Sequence, residues 1–199
     1  MSVYSPAYFE ELFAESPDPW CFNERWYEQR KRALTLACLP AKRYLAGYEP
    51  GCANGELSAA LATRCDRLLV SDGAQAAVKI ATKRLSGFNH AEVRQAWLPD
   101  EWPDEKFDLI VLSEFLFYLE LDAVERVIEK VQLSLRPHGT LLACHWRHPV
   151  PGSVVPGDHA HALLTRRLQL PKICSVVEAD FLVDVWSSQP SVAAAEGFV

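Results

Sequence analysis

The 199-residue sequence lacks any apolar run near the ~18 residues that a membrane-spanning helix needs. Its first residues, MSVYSPAYFEELF, carry acidic residues where a secretory signal carries basic ones. It also lacks C-x-x-C pairs, because its six cysteines are scattered and several lie inside apolar strings. These absences argue against a zinc ribbon and a disulfide scaffold, and they predict a cytoplasmic protein with reduced thiols and no membrane partner.

Basic charge is scarce as well. The chain has 20 Lys and Arg against 26 Asp and Glu, a net charge of −6, whereas binding to a phosphate backbone depends on clustered basic residues. We therefore predict no nucleic-acid partner. Hydrophobic residues at 49% and charged residues at 23% are ordinary for globular proteins and predict a single domain over 1–199, with an N-terminal helical cap (1–40), a core (41–186) and a tail (187–199).

After Pro40, short apolar runs alternate with helical stretches, a pattern typical of βα units and a parallel sheet. The front segment predicts two helices, YFEELF and NERWYEQRKRALTLACL, separated by a proline-rich break. A long loop (149–158) and a frayed end (190–199) are also expected. Predicted strands cover 44–49, 68–72, 91–95, 107–113 and 140–146, with an antiparallel hairpin in 174–186; predicted helices cover 55–63, 74–85 and 121–135, the last ended by a turn at 136–139.

A glycine-rich turn, Glu49-Pro50-Gly51-Cys52-Ala53-Asn54-Gly55, lies between the first strand and the first core helix. Glycine lets the backbone approach a ligand, and the amides of the following helix N-terminus favour a negative group. About 20 residues later the second strand ends at Asp72, where a carboxylate accepts hydrogen bonds from a ribose diol in nucleotide-binding folds. The alternative, a plain tight turn with a surface aspartate, is weakened by the position of both features in one βαβ unit.

The intervals of this turn resemble motif I of the class I S-adenosylmethionine-dependent methyltransferases. The strings DPWCFNERWYEQRKRALTLACLP, EPGCANGELS, FDLIVLSEFLFYL and HWRHPVPGSVVPGDHAH are together similar to the nodulation protein S family, which N-methylates an amino sugar of a chito-oligosaccharide. The resemblance covers about residues 4–186. It implies an α/β, Rossmann-like, seven-stranded and mostly parallel sheet with helices on both faces, S-adenosylmethionine as cofactor, and an amino sugar-like small-molecule acceptor. Gly73 and Ala74 depart from the family, where many members have an aliphatic residue and then Ser.

The cofactor residues are predicted from the strand ends together with this resemblance. Tyr27 and Arg30 on the front helix are expected near the methionine carboxylate, which a guanidinium can bind bidentately; an amphipathic helix packed on the sheet is the alternative. The predicted cofactor-binding residues are Tyr27, Arg30, Glu49, Gly51, Cys52, Ala53, Gly55, Asp72, Gly73, Ala96, Trp97 and Ser113.

On the acceptor side, an amine must arrive neutral or lose a proton. Glu114, at the carboxyl end of the fourth strand, and His145, at the end of the fifth, are the predicted catalytic residues. The alternative for Glu114 is an acid stabilised by a helix N-terminus. The predicted substrate-binding residues are Tyr118, Trp146, Arg147, His148 and His161.

Three other interpretations stay open at this point. The histidines of HWRH and GDHAH offer metal-ligand types, but no zinc motif is present and we predict no metal; the alternative to a substrate-binding wall here is a solvated loop. A nicotinamide-dependent oxidoreductase is disfavoured by the glycine intervals and by the absence of a Tyr/Lys pair after the glycine turn. A non-catalytic nucleoside-ligand binding protein on the same fold is the third.

Overall fold

A computed structural model describes residues 4–199. The strands are β1 (Gly47–Pro50), β2 (Leu68–Asp72), β3 (Ala91–Gln95), β4 (Phe107–Ser113), β5 (Leu135–Trp146), β6 (Lys172–Val177) and β7 (Phe181–Ser187). The helices are α1 (Pro6–Glu15), α2 (Trp26–Ala37), α3 (Glu56–Ala62), α4 (Gln75–Arg84), α5 (Leu121–Ser134), α6 (Gly157–Arg167) and α7 (Val192–Ala195), with 3-10 turns at Leu85–Gly87 and Leu116–Tyr118. Among these residues no helix has the length and apolarity needed to cross a membrane.

The strands form one seven-stranded sheet in the order β3-β2-β1-β4-β5-β7-β6. Neighbours from β3 to β5 pair in parallel, and β7 pairs antiparallel with both β5 and β6. The predicted mostly parallel sheet and the predicted terminal hairpin are confirmed. The strand order reverses between β1 and β4, and in sheets of this kind the crevice at the reversal, beyond the carboxyl ends of the strands, is where ligands bind.

The core lies on both faces of the sheet, which explains the nearly continuous apolar run of β4. On α5 the apolar residues recur at i, i+3, i+4 and i+7, namely Val124, Val127, Ile128 and Val131, and all four are buried. This stripe attaches α5 to one face of the sheet. The predicted helix over 121–135 is confirmed to within one residue.

Three predictions on local structure were wrong. The stretch 136–139 is not a turn before the strand but part of β5, where the step from Leu135 to Thr140 faces only the step from Phe107 to Leu109 on β4, so the extra residues bulge out of the ladder. The first strand begins at Gly47 rather than at residue 44. The end of the chain forms a short helix, α7, whose first turn is capped by the Ser191 hydroxyl at 3.2 Å from the Ala194 amide.

Candidate cofactor and acceptor site

A cavity of about 610 Å³ opens beyond the carboxyl ends of β1 to β5 and is covered by α1 and α2. Its position at the reversal of strand order is the one that the topology predicts. Thirteen of the predicted site residues line it: Tyr27, Glu49, Gly51, Cys52, Ala53, Asp72, Gly73, Ala96, Trp97, Ser113, Glu114, Tyr118 and Trp146.

The glycine turn wraps the end of β1 in left-handed backbone. Gly51 has φ +70° and Gly55 has φ +79°, a region that residues with a Cβ rarely adopt. A Cβ on Gly51 would lie 3.0 Å from the Cβ of Phe115, so this turn packs against the segment after β4. A Cβ on Gly55 would meet Ala81 at 3.2 Å, and Gly55 therefore serves the packing of α3 on α4 rather than lining the cavity as predicted.

Asp72 holds the glycine turn against the end of β2. Its carboxylate accepts the amide of Ala53 at 2.9 Å and the amide of Ala74 at 3.0 Å. Burial raises the pKa of Asp72, and these backbone donors oppose that rise. Since a carboxylate has about four acceptor sites, Asp72 can still accept hydrogen bonds from hydroxyl groups in the cavity.

Gly73 stands where many family members have an aliphatic residue, and this difference has a steric cause. A Cβ at this position would lie 2.2 Å from the ring of Trp97, so only glycine lets the indole from the end of β3 cover the end of β2. Both residues line the cavity. The pair forms a flat aromatic wall beside Asp72.

Glu49 lies beneath the turn. It is buried and is one of the residues that line the cavity. The Ser58 hydroxyl donates to its carboxyl at 2.5 Å, but desolvation dominates and raises the pKa of Glu49 to about 8. At neutral pH this carboxyl is therefore mostly protonated.

The front helix α2 presents one face to the cavity and the opposite face to solvent. Arg25, Glu28 and Arg32, spaced three and four residues apart, line the cavity, as expected for a helix that advances about 100° per residue. Arg30 lies on the outer face and forms an ion pair with Glu178 at 2.8 Å. The predicted Arg30 therefore does not line the cavity, and the arginines of this segment that do are Arg25 and Arg32.

Tyr27 also lines the cavity, and its hydroxyl is buried with no hydrogen-bond partner among residues 4–199. An orphaned buried hydroxyl carries a desolvation cost. It therefore marks a place where a polar group of a ligand is expected. Desolvation is also the main cause that raises the pKa of this phenol above its ordinary value.

At the end of β4, the side chain of Glu114 is held by two hydrogen bonds. Its backbone has φ 55°, one carboxylate oxygen accepts Lys31 Nζ at 2.7 Å, and the other accepts the amide of Trp146 at 2.9 Å. Lys31 also contacts Glu28 at 3.0 Å. Burial alone would lower the pKa of Lys31, but the two carboxylates outweigh it and raise that pKa.

The sequence did not single out this buried cluster. Lys31 and Glu114 are 83 residues apart, and no local pattern joins them. Glu28, Lys31 and Glu114 together carry two carboxyl groups and one ammonium, so this cluster has a net negative charge when both carboxyl groups are ionised, although Arg25 and Arg32 line the same cavity.

The four polar residues predicted at the end of β5 and beyond it are not on the cavity wall. Arg147 binds Asp158 through Nε at 3.0 Å and Nη2 at 2.9 Å, and His148 contacts Asp180 at 2.7 Å. The other two, His145 and His161, are buried behind the wall. Trp146 alone among the HWRH residues lines the cavity, because adjacent residues of a strand face opposite sides of the sheet. No cluster of three or more potential metal ligands occurs within the described part of the chain.

Helix α1 and the loop after β5 close the cavity from outside. The Tyr4 hydroxyl donates to the carbonyl of Pro151, and the rings of Tyr4 and Phe9 lie 4.7 and 5.0 Å from the ring of Tyr118. These residues all line the cavity. Aromatic side chains in the first helix are a weak sequence signal, because core packing explains them equally well.

The sheet order, the left-handed glycine turn after β1 and the carboxylate at the end of β2 together define the Rossmann-like fold of the class I methyltransferases. A family model described as "Nodulation protein S (NodS)" matches residues 10–168. The chain belongs to the nodulation protein S family.

Individual relatives agree with this assignment. The chain is 31% identical over 137 residues to nodulation protein S of Sinorhizobium fredii, a match that covers 66% of this chain and 61% of that protein. The match thus spans less than two thirds of the relative's length. A crystal structure of a Pseudomonas syringae protein, described as an inferred methyltransferase, is 51% identical, with a TM-score of 0.74, and covers 82% of this chain and 99% of its own.

The fold is also that of the N-methyltransferase NodS of Bradyrhizobium japonicum, solved in complex with S-adenosylhomocysteine. That structure has a TM-score of 0.82, covers 92% of this chain and 98% of its own, and is 24% identical. The seven-stranded architecture expected from the resemblance is therefore confirmed.

Proposed function

We propose that the chain is an S-adenosylmethionine-dependent methyltransferase that methylates a nitrogen atom of a small amine-bearing acceptor, an amino sugar or an oligosaccharide that contains one. The observation that carries the proposal is the pairing, in one cavity, of the left-handed turn at Gly51 with the buried carboxylate of Asp72. Membership of the nodulation protein S family supports it, and it disfavours the nicotinamide alternative. A cytoplasmic location and a single domain over 1–199 are parts of the same proposal.

The residues present fit the cofactor in three respects. Asp72 retains free acceptor sites for ribose hydroxyls, and Trp97 over Gly73 offers a flat wall for an adenine ring. The orphaned hydroxyl of Tyr27, with Arg25 and Arg32 on the same helix, suits the polar methionine end. When bound, S-adenosylmethionine supplies an electrophilic methyl group on a sulfonium.

The chain's own residues then have two tasks, to orient the acceptor nitrogen and to exclude water. Glu114 has little freedom to move, because Lys31 and the Trp146 amide each hold one of its oxygens. Its fixed carboxylate, with that of Glu28, makes the wall attractive to an N–H-bearing group and able to receive a proton from it. The aromatic cover of Tyr4, Phe9 and Tyr118 keeps bulk water away from that group.

Calorimetric titration of the full chain with S-adenosylhomocysteine, S-adenosylmethionine and NADH tests the cofactor. We expect the first two to bind and NADH not to bind; NADH binding alone would overturn the proposal. Turnover with a glucosamine tetramer and a panel of simple amines then tests the activity. Tight cofactor binding without transfer to any member of the panel would favour the non-catalytic binding protein.

A further inference from the structure

We call the side of the cavity formed by Glu114, Phe117, Tyr118 and Trp146 the acceptor wall. A chain of polar groups that the proposed reaction does not use lies behind it. Lys172 Nζ donates to Asp184 Oδ2 at 2.8 Å, the same oxygen is 2.7 Å from His161 Nδ1, and His161 Nε2 is 3.1 Å from His145 Nδ1. The amide of Leu116 lies 3.4 Å from His145 Nε2. The two histidines and Asp184 are each at most 3% exposed, so this part of the chain is sealed from solvent, whereas Lys172 at its outer end is partly exposed.

The direction of this chain follows from its two ends. A backbone amide can only donate, so His145 Nε2 must be an unprotonated acceptor. Neutral His145 then carries its proton on Nδ1 and donates to His161 Nε2, and His161 in turn donates from Nδ1 to Asp184. Burial raises the pKa of Asp184, but its hydrogen bonds with His161 and Lys172 hold that pKa at about 2, so Asp184 is ionised. Every hydrogen bond of the series therefore runs in the same direction, and each imidazole ring has a single tautomer.

The series ends on the segment that forms the acceptor wall. Leu116 begins the 3-10 turn Leu116–Tyr118, and Phe117 and Tyr118 line the cavity. The preceding residue, Phe115, packs under Gly51. The amide held by His145 therefore fixes the turn that joins the acceptor wall to the glycine turn.

We propose that His145 is a positioning residue, which holds the 116–118 turn through its unprotonated Nε2. The hydrogen bond between His145 and His161, which is itself bonded to Asp184, fixes the tautomer of the His145 ring. The inference rests on the proposed function, because the wall it positions is the acceptor wall. It replaces the predicted role of His145 as a catalytic residue: the imidazole does not reach the cavity, and it acts on the acceptor through Leu116.

The first test is spectroscopic and needs no acceptor. We expect nitrogen NMR of the full chain, labelled with ¹⁵N-histidine and saturated with S-adenosylhomocysteine, to give His145 as a neutral ring protonated on Nδ1 at pH 7. A neutral ring protonated on Nε2, or an imidazolium, would overturn the proposal. This result does not depend on whether methyl transfer is observed.

The second test compares variants in the glucosamine-tetramer assay. His145→Leu removes the acceptor of the Leu116 amide, and loss of such a bond corresponds to about a tenfold change. We therefore expect the acceptor KM to rise about tenfold, with S-adenosylhomocysteine affinity unchanged, and His145→Gln to recover part of the loss because its amide oxygen can accept. His159→Gln, an exposed change on α6, is the matched control and should behave as the wild type.

If His145→Leu does not fold, His161→Asn takes its place, since it keeps a donor toward Asp184 but releases the His145 tautomer. A fall in melting temperature with an unchanged acceptor KM would reduce His145 to a structural residue and overturn the proposal.

If the wild type does not methylate the tetramer, hydrogen exchange of the Leu116 amide decides. We expect this amide to exchange about tenfold faster in the variant, while the Ala53 amide exchanges at the wild-type rate. Equal exchange rates of the Leu116 amide in variant and wild type would contradict the proposal. Failure of the wild type to bind S-adenosylhomocysteine would sink the proposed function instead.

Discussion

The two halves of the cavity are built in different ways. On the side of β1 to β3, the wall consists mainly of backbone, glycines and carboxyl groups from the first βαβ unit, with Trp97 added from the segment after β3. On the side of β4 and β5, the wall consists of side chains from distant segments, such as Tyr4, Lys31 and Glu114. Conformational restriction shapes the first half, whereas burial of charge and aromatic packing shape the second.

The difference predicts opposite kinetic signatures. Changes in the first half should affect cofactor affinity, and changes in the second should affect transfer while the cofactor stays bound. Each of the following experiments would break or sharpen this division.

The largest effect is expected from Gly51→Val. A branched side chain is strained at φ +70° and would collide with Phe115, so binding of S-adenosylhomocysteine should fall below calorimetric detection. Gly87→Ala is the control, because a Cβ there meets nothing within 4 Å. Retention of full affinity by a folded Gly51→Val protein would mean that the turn does not form the cofactor wall.

Glu114→Gln should lower turnover about 10²-fold, the range expected for a positioned proton acceptor, while cofactor affinity changes little. The amide can still accept from Lys31 or from the Trp146 amide, so the wall should keep its shape. Steady-state kinetics with the glucosamine tetramer provide the measurement, and Glu129→Gln on the exposed face of α5 is the control. Wild-type kcat/KM in the variant would remove Glu114 from the mechanism.

Asp72→Ala should weaken the binding of S-adenosylhomocysteine about tenfold or more, because charge-assisted hydrogen bonds of ~1.5–3 kcal/mol are lost. The Ala53 and Ala74 amides lose their acceptor as well, so a lower melting temperature should accompany the loss. Asp66→Ala at an exposed position controls for the change of charge. Unaltered affinity would separate Asp72 from the cofactor site.

The last prediction concerns pH and stability rather than ligand binding. Because the pKa of Glu49 is about 8 in the folded chain against an ordinary 4.5, the unfolded chain loses this proton first, and the free energy of unfolding should fall between those pH values by about 1 kcal/mol per pH unit. Glu49→Gln removes the titration and should flatten the dependence. Urea unfolding at pH 5 and pH 8 measures it, and Glu129→Gln should keep the wild-type slope; an equally steep slope in Glu49→Gln would contradict the assignment.

The same division explains how far the sequence alone could lead. The meeting of Gly51 and Asp72 at one cavity wall was predictable because both belong to one βαβ unit whose spacing is dictated by the lengths of a helix and two strands. Arg30 lies on the outer face of a correctly predicted helix, and its spacing of three residues from Tyr27 gave no sign of this, because residues three apart share a helix face. Periodicity predicted the βα units and the parallel sheet, whereas the seven-stranded Rossmann-like architecture was implied by the family resemblance.

The acceptor half was predictable only in part. Contact between Lys31 and Glu114 depends on the docking of α2 on the sheet, which no local pattern encodes. The HWRH stretch suggested a polar wall, but β5 is covered on both faces, so His145 is enclosed by other elements and only Trp146 reaches the cavity. The bulge at 136–139 was hidden because its Pro and Gly are typical of a free turn.

The ion pair between Lys31 and Glu114 also sets an order of events during synthesis. The ribosome completes α2 well before β4, so the nascent chain carries the ammonium 83 residues ahead of its carboxylate. Until β4 emerges, Glu28 alone pairs with this ammonium, and burying an ammonium with incomplete pairing costs free energy. Docking of α2 over the cavity is therefore favoured only after β4 has supplied Glu114.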